Sequence, residues 1–121
     1  PIDPAEMLPA VAQGAIGVER RAGDSLSAEL LAAIHHVETG HRINAERAFL
    51  AQLDGSCQTP IAGLAELRED SLLLRGEILR PDGSAAISGY REGSVSEGPA
   101  MGTDLAEELL ARAGEGFFDH L

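Results

Sequence analysis

The stretch PIAGLAELREDSLLLRGEILRPDGSAAISGYRE, residues 60–92, contains three apolar runs of strand length separated by two turn sequences. The runs are Ile61–Leu67, Leu72–Leu79 and Ala85–Glu92. Pro81-Asp82-Gly83 is a strong turn sequence between the last two runs, because proline fixes φ and glycine accepts a positive φ. Short apolar runs joined by such turns predict a three-stranded antiparallel meander.

Two helical patterns precede this predicted sheet. The first begins with three N-cap candidates, Asp24, Ser25 and Ser27. Its apolar residues recur at helical spacing and form one stripe, which consists of Leu26, Leu30, Ile34 and Val37. The second is predicted to end at Asp54-Gly55, since glycine just past the last apolar residue is a C-cap signal. Its inward side chains are Ile43, Ala45, Ala48, Phe49 and Leu53. Gly40 lies between the patterns and either breaks them or is absorbed within a longer helix.

A third helix is predicted after the sheet. We expect residues 93–102 to form a loop and Thr103 to be the N-cap of this helix. Its apolar face consists of Leu105, Leu109, Leu110 and Phe117, and Gly114 and Gly116 weaken its last turns. Near the amino terminus, Ala15–Glu19 is predicted to be a short, largely buried strand. This order of elements predicts an α+β fold with helices on one face of a three-stranded antiparallel sheet.

The composition limits the function classes. The chain has 121 residues, mean hydropathy −0.04 and a net charge of −11, and all nine basic residues are arginines. The negative charge argues against nucleic acids and anionic membranes as partners. The absence of lysine excludes P-loop and Schiff-base chemistry. We expect no signal peptide and no transmembrane segment, and a cytoplasmic location is the default for a chain with one cysteine.

That cysteine, Cys57, follows the second predicted helix in the sequence LDGSCQTPI, residues 53–61. A buried small hydrophobe is the ordinary interpretation of a free cysteine. The loop position argues against it, and the partial negative charge of a helix C-terminus disfavours a reactive thiolate. A thiol that reacts once and then remains attached fits this position better than a nucleophile that turns over repeatedly.

Three stretches resemble the C-terminal third of porphobilinogen deaminases, also called hydroxymethylbilane synthases. They are LPAVAQGAIGVE (residues 8–19), RINAERAFL (42–50) and the cysteine stretch, with MGTDLAEELL (101–110) further along. The resemblance runs from about Met7 to the C-terminus. It implies that Cys57 carries a dipyrromethane cofactor through a thioether and that Gln13 and Gly14 lie near this cofactor. Ala12 stands where the family usually has glycine.

The resemblance also implies what the whole enzyme does. In the family, four porphobilinogen molecules condense head to tail, with release of ammonia, into hydroxymethylbilane for tetrapyrrole (haem) biosynthesis. The catalytic aspartate and the substrate-binding arginines belong to two earlier domains, so no catalytic residue is expected in this chain and it is expected to be inactive alone. Residues 1–23 would return to the first domain, leaving an orphan strand segment here, and residues 24–121 would form the cofactor-bearing domain.

The expected partner is porphobilinogen, in an enzyme that is a monomer. In the isolated chain, residues 11–18 are expected either to be disordered or to form a homodimer, because an apolar strand without its sheet invites edge pairing.

Other interpretations lead to different expectations. The alternative function is a non-catalytic α+β interaction module with a free surface thiol on Cys57. No metal site is expected, since His36 and His41 are five residues apart and do not share a helix face; a polar helix start accounts better for these histidines. Arg42, Glu46 and Arg47 are expected to form a solvated helix face with local ion pairs.

Overall fold

The computed structural model describes residues 1–54 and 59–119. Within them, three strands form one antiparallel sheet in the order β1-β2-β3. The elements are α1 (Ser25–Ala32), α2 (Val37–Gln52), β1 (Ile61–Arg68), β2 (Ser71–Leu79), β3 (Ala86–Ser94), a 3-10 turn (Val95–Glu97) and α3 (Gly98–Ala113). The predicted α+β class and the predicted meander are both confirmed.

A row of three glycines crosses the middle of the sheet. Gly63 pairs with Gly76, and Gly76 pairs with Gly89. The fully buried ring of Phe49, from α2, lies over this row, and a Cβ on Gly76 would be only 2.5 Å from its Cζ. A Cβ on Gly89 would be 3.0 Å from Leu105 Cδ1 of α3. Both α2 and α3 therefore cover the same face of the sheet, as predicted.

The two covering helices also approach each other closely. A Cβ on Gly102 of α3 would lie 2.4 Å from the carbonyl oxygen of Ala45 in α2. A side chain of any size at this position would push the helices apart. Gly40 is absorbed within α2, which settles the choice that the sequence leaves open.

The start of α3 differs from the prediction. Residues 93–102 are not a loop and Thr103 is not the N-cap, because β3 continues to Ser94 and α3 begins at Gly98. Pro99 fits in the first helical turn, where its missing N–H would have no intrahelical partner. Ser94 and Glu97 form a capping box that turns the chain from strand into helix. The Gly-Pro pair is therefore a helix start rather than a helix breaker.

The C-terminal end of α3 agrees better with the sequence-based prediction. The helix ends at Ala113, and Gly114 adopts a φ of 77°, which glycine tolerates without strain. Phe117 lies beyond the helix and is buried. The guanidinium carbon of Arg80 lies 5.9 Å from its ring centroid, within the range of a cation–π contact.

The amino-terminal region differs most from what the sequence predicts. The predicted strand Ala15–Glu19 is wrong: these residues form no strand, and Ile16 is 93% exposed. The apolar stripe of α1 is also exposed, with Leu26 at 65%. Helical spacing correctly predicts a helix here, but α1 ends at Ala32, so that Ile34 lies outside it and Val37 begins α2, and α1 contributes no residue to the described core.

None of the described helices is both long enough and apolar enough to cross a membrane.

Candidate functional site

Cys57 lies in the connection between α2 and β1, outside the described residues. The described residues on either side belong to the packed domain. Leu53 is buried, Asp54 adopts a positive φ of 53°, and Pro60 accepts a hydrogen bond from Leu79 N at 3.0 Å. Any group attached to Cys57 is therefore tied to the C-terminal end of α2 and to one end of the sheet.

The segment with Gln13 and Gly14 lies along the free edge of β1. The carbonyl of Pro9 accepts a 3.0 Å hydrogen bond from Gly63 N. Ala12 then adopts a φ of 61° and Gly14 a φ of 82°. A left-handed conformation costs an L-residue about 1–2 kcal/mol, which explains why glycine suits position 12. Gln13, between these two turns, is exposed.

Glu46 of α2 holds this segment in place. Its Oε1 accepts the Ala12 N–H at 2.7 Å and its Oε2 accepts the Ala65 N–H at 2.9 Å. The residue is only 4% exposed, so the expectation that it belongs to a solvated helix face is wrong. A sequence signal was available, because Glu46 lies three positions before the inward Phe49 and so shares its side of the helix.

A small cleft of about 160 Å³ separates the amino-terminal segment from α2. We call it the Arg42 cleft. Besides Arg42, its lining includes Gln13, Gly14, Thr39, Glu46 and Leu64. Arg42 donates from Nη2 to Thr39 Oγ1 at 3.2 Å, but its Nε is buried and has no hydrogen-bond partner among residues 1–54 and 59–119. The expected local ion pair of Arg42 is absent from that part of the chain.

Three arginines, one each on β2, β3 and α3, are engaged with carboxylates. Arg91 binds Asp104 at 2.8 Å and Glu108 at 2.7 Å, and Arg112 binds the other Glu108 oxygen at 3.0 Å. Hydrogen bonds from Arg91, and then from Arg112, hold the pKa of the Glu108 carboxyl below its usual range. Arg75 pairs with Glu66. These three cations are paired within the fold, although the Nε of Arg75, like that of Arg42, is buried without a hydrogen-bond partner among the described residues.

The histidine-rich segment has a structural role. His36 is the N-cap of α2, and its Nδ1 accepts the Thr39 N–H at 3.2 Å. The prediction of a polar helix start is confirmed. No group of three or more potential metal ligands occurs among the residues that the structure describes.

Comparison with known proteins decides the family. The family model "Porphobilinogen deaminase, C-terminal domain" matches residues 41–111, which include Arg42, Glu46, Cys57 and the whole sheet. The chain belongs to the porphobilinogen deaminase family. Gln13 and Gly14 precede the matched range.

Two relatives illustrate the extent of the similarity. Porphobilinogen deaminase of Paracoccus denitrificans is 67% identical over 118 residues, which are 98% of this chain and 38% of that protein. The chloroplastic porphobilinogen deaminase of Pisum sativum is 51% identical over 117 residues, or 94% of this chain and 32% of that protein. The chain thus spans about a third of the length of these family members.

Proposed function

We propose that this chain is the cofactor-bearing domain of a porphobilinogen deaminase, a transferase of tetrapyrrole (haem) biosynthesis. The whole enzyme condenses four porphobilinogen molecules into hydroxymethylbilane and releases ammonia. The observation that carries this proposal is the 67% identity to a porphobilinogen deaminase over 98% of the chain.

Cys57 attaches the dipyrromethane cofactor. The thiol sulfur forms a bond to an electrophilic pyrrole methylene, whose leaving group departs with the thiol proton. Once bound, the cofactor supplies the primer to which new pyrrole units are added. Gln13, Gly14 and Arg42 line one small cleft, and Arg42 forms no ion pair among the described residues, so these residues fit the polar groups of such a cofactor. Gln13 and Gly14 would lie against the cofactor.

The chain has no catalytic residue of its own in this proposal and is inactive alone. Arg75, Arg91 and Arg112 are paired with carboxylates of this chain, which offsets their charge toward a substrate with two carboxylates. Residues 1–23 connect to a first domain, and residues 24–121 form the cofactor-bearing domain. The enzyme works as a cytoplasmic monomer, whereas the isolated chain can pair through residues 11–18.

A chimera tests the proposal. This chain replaces the corresponding 38% of the Paracoccus denitrificans protein, and consumption of porphobilinogen is measured together with the intact mass of the product. We expect activity and a dipyrromethane adduct, both lost in Cys57→Ser, since a hydroxyl is a much weaker nucleophile than a thiol. An active, adduct-free chimera, or full activity of Cys57→Ser, would refute the tether.

The isolated chain is the second arm of this test. We expect it to consume no porphobilinogen above buffer. Turnover by the isolated chain that disappears in Cys57→Ser would overturn the idea that the reacting residues lie outside it. A folded chain whose cysteine never gains an adduct, in a chimera that is also inactive, would favour the interaction module with a free thiol.

A further inference from the structure

We infer that the side chains of Arg91, Arg112 and Glu97 close the free edge of β3 against the addition of another strand. β3 is an outer strand of the sheet, and among residues 1–54 and 59–119 only β2 pairs with it. Such an edge presents N–H and C=O groups to which a strand of a second copy of the chain can bond. Closure of this edge governs association of the chain and is independent of the proposed function.

The register of the sheet shows which groups of β3 point to its free edge. Arg80 N donates to Ala85 O at 2.9 Å, so Ala85 is directed toward β2. Residues of an antiparallel pair alternate between bonding to their partner and pointing away from it, and the register between β2 and β3 is continuous over the whole of β3. The residues that point to the free edge are therefore the even-numbered ones, Ala86, Ser88, Tyr90, Glu92 and Ser94.

Two guanidinium groups already occupy carbonyls of this edge. Arg112 Nη1 donates to Ser88 O at 2.9 Å. Arg91 Nη1 donates to Tyr90 O, also at 2.9 Å. Both carbonyls belong to outward-pointing residues, as the register requires. A strand that paired with this edge would need the same carbonyls as acceptors for its own N–H groups, so it would have to displace both arginines.

Carboxylates of α3 hold the two arginines in position. Arg91 binds Asp104 through Nε at 2.8 Å and Glu108 through Nη2 at 2.7 Å. Arg112 binds the other oxygen of Glu108 at 3.0 Å. Asp104, Glu108 and Arg112 are spaced four residues apart, so they lie on one side of α3. The guanidinium groups are therefore fixed in place before any strand approaches.

Glu97 closes the C-terminal end of the same edge. Its Oε1 accepts the outward N–H of Ser94 at 3.3 Å and the Ser94 hydroxyl at 2.7 Å. The opposite edge of the sheet is closed by other means, because the N–H groups of Gly63 and Ala65 on β1 are bound by Pro9 O and by Glu46. Side chains do at β3 what the amino-terminal segment and Glu46 do at β1.

Removal of both arginines tests the closure. Arg91→Gln combined with Arg112→Gln is compared with its parent by sedimentation equilibrium. Both proteins also carry Ile16→Ser and Val18→Ser, so that pairing through residues 11–18 does not contribute. We expect the dissociation constant for self-association to fall by about tenfold or more, since an intramolecular hydrogen bond to a charged group is worth at least about this factor.

Two further variants make the result specific. Arg47→Gln changes the net charge by the same amount as one substitution and lies on an exposed position of α2, so it should leave the dissociation constant unchanged. Arg112→Gln alone retains both carboxylate bonds of Arg91 and is the variant that decides if the double substitution lowers the melting temperature enough to unfold the chain. It frees Ser88 O and should still strengthen association.

Hydrogen exchange locates the interface. The amides of Ser88, Tyr90 and Glu92 should exchange more slowly at high than at low concentration of the double variant. Tyr90→Pro, added to the double variant, should restore the monomer, because proline removes an outward N–H that only a second strand would use.

Two results would overturn the inference. One is a folded Arg112→Gln or double variant that stays as monomeric as its parent at every concentration. The other is association that persists with Tyr90→Pro or leaves the three amides unprotected, since the contact would then lie elsewhere. Neither result bears on the tether, which the chimera tests separately.

Discussion

At the scale of single residues, Gly76 shows how one missing methyl group sets the thickness of the core. The Phe49 ring can approach β2 this closely only because Gly76 has no side chain, since a Cβ would be 2.5 Å from its Cζ. The glycine partners on β1 and β3 extend this depression across the sheet. The largest buried side chain of α2 thus determines how close α2 lies to the strands.

We predict that Gly76→Ala destabilises the chain by about 1–3 kcal/mol, the usual cost of overpacking a core. Urea unfolding followed by circular dichroism measures the free energy of unfolding. Gly17→Ala is the matched control, because a Cβ there would meet nothing within 4 Å. Equal stability of the two variants would mean that Phe49 moves aside without cost.

At the scale of elements, Glu46 links three parts of the fold: α2, the edge strand β1 and the amino-terminal segment. We predict that Glu46→Ala leaves the N–H groups of Ala12 and Ala65 without their acceptors, at about 1–3 kcal/mol for each group that stays buried. Hydrogen exchange should accelerate at these two amides most of all. Glu46→Gln, which retains one acceptor oxygen, should have a smaller effect.

The exposed Glu29→Gln is the control for the loss of a negative charge. Acceleration spread evenly over α2, rather than concentrated at Ala12 and Ala65, would contradict the linking role. It would indicate a helix that is weakened as a whole.

The link between β3 and α3 depends on pH. The pKa of Glu108 is lowered in the folded chain, mainly by Arg91. Its contribution to stability is therefore present above the unfolded-state pKa of about 4.3 and is lost as the pH falls through the lower folded-state pKa. We predict that Glu108→Gln destabilises at neutral pH and that its difference from the parent shrinks below roughly pH 4.

Urea midpoints measured from pH 7 to pH 3 check this dependence. Glu115→Gln is the control, since Glu115 is exposed and forms none of the described ion pairs. A difference between Glu108→Gln and the parent that is independent of pH would show that the Arg91 pair contributes nothing through its charge.

Local signals in the sequence predict the elements well where the local chemistry is unambiguous. The turn at Pro81-Asp82-Gly83 correctly delimits β2 and β3, and Gly114 correctly ends α3. The start of α3 differs from the prediction because Gly98 and Pro99 each suggest a break on their own. Their compatibility with a helix depends on the capping box before them and on tertiary packing, since a Cβ on Gly98 would lie 2.9 Å from Leu72 Cδ2 and 3.3 Å from Ala45 Cβ.

At the scale of the whole molecule, the sequence predicts some residues of the candidate site and not others. Cys57 and Gln13 stand out through their sequence motifs, although Cys57 lies outside the described residues. Arg42 could not be singled out, because an arginine on a helix normally faces solvent. Arg42 lines the cleft between residues 9–15 and α2, and its Nε is buried without a partner among the described residues. A sequence shows which residue types are available, whereas the unused donor follows from tertiary structure.

Association of the isolated chain also depends on the whole molecule, through the apolar side chains that it leaves exposed. Val11 is half-buried against the core, but Ile16 and Val18 are 93% and 60% exposed. Burying two such side chains gains roughly 1.5–3 kcal/mol each, and a two-fold interface satisfies both copies at once. We predict that the chain forms a homodimer through residues 11–18 and that Ile16→Ser combined with Val18→Ser makes it monomeric in light scattering.

The control for this dimer is a second pair of exposed apolar residues. Leu30 and Ile34 of the α1 region are 65% and 73% exposed, so Leu30→Ser with Ile34→Ser removes a similar apolar area elsewhere. The control variant should still dimerise, with the amides of residues 15–18 slower to exchange at high concentration than at low. Dissociation by the Leu30 and Ile34 pair alone would place the interface on α1. A parent chain that stays monomeric at every concentration would show that Ile16 and Val18 do not drive pairing, since their burial would then not offset the cost of ordering the segment.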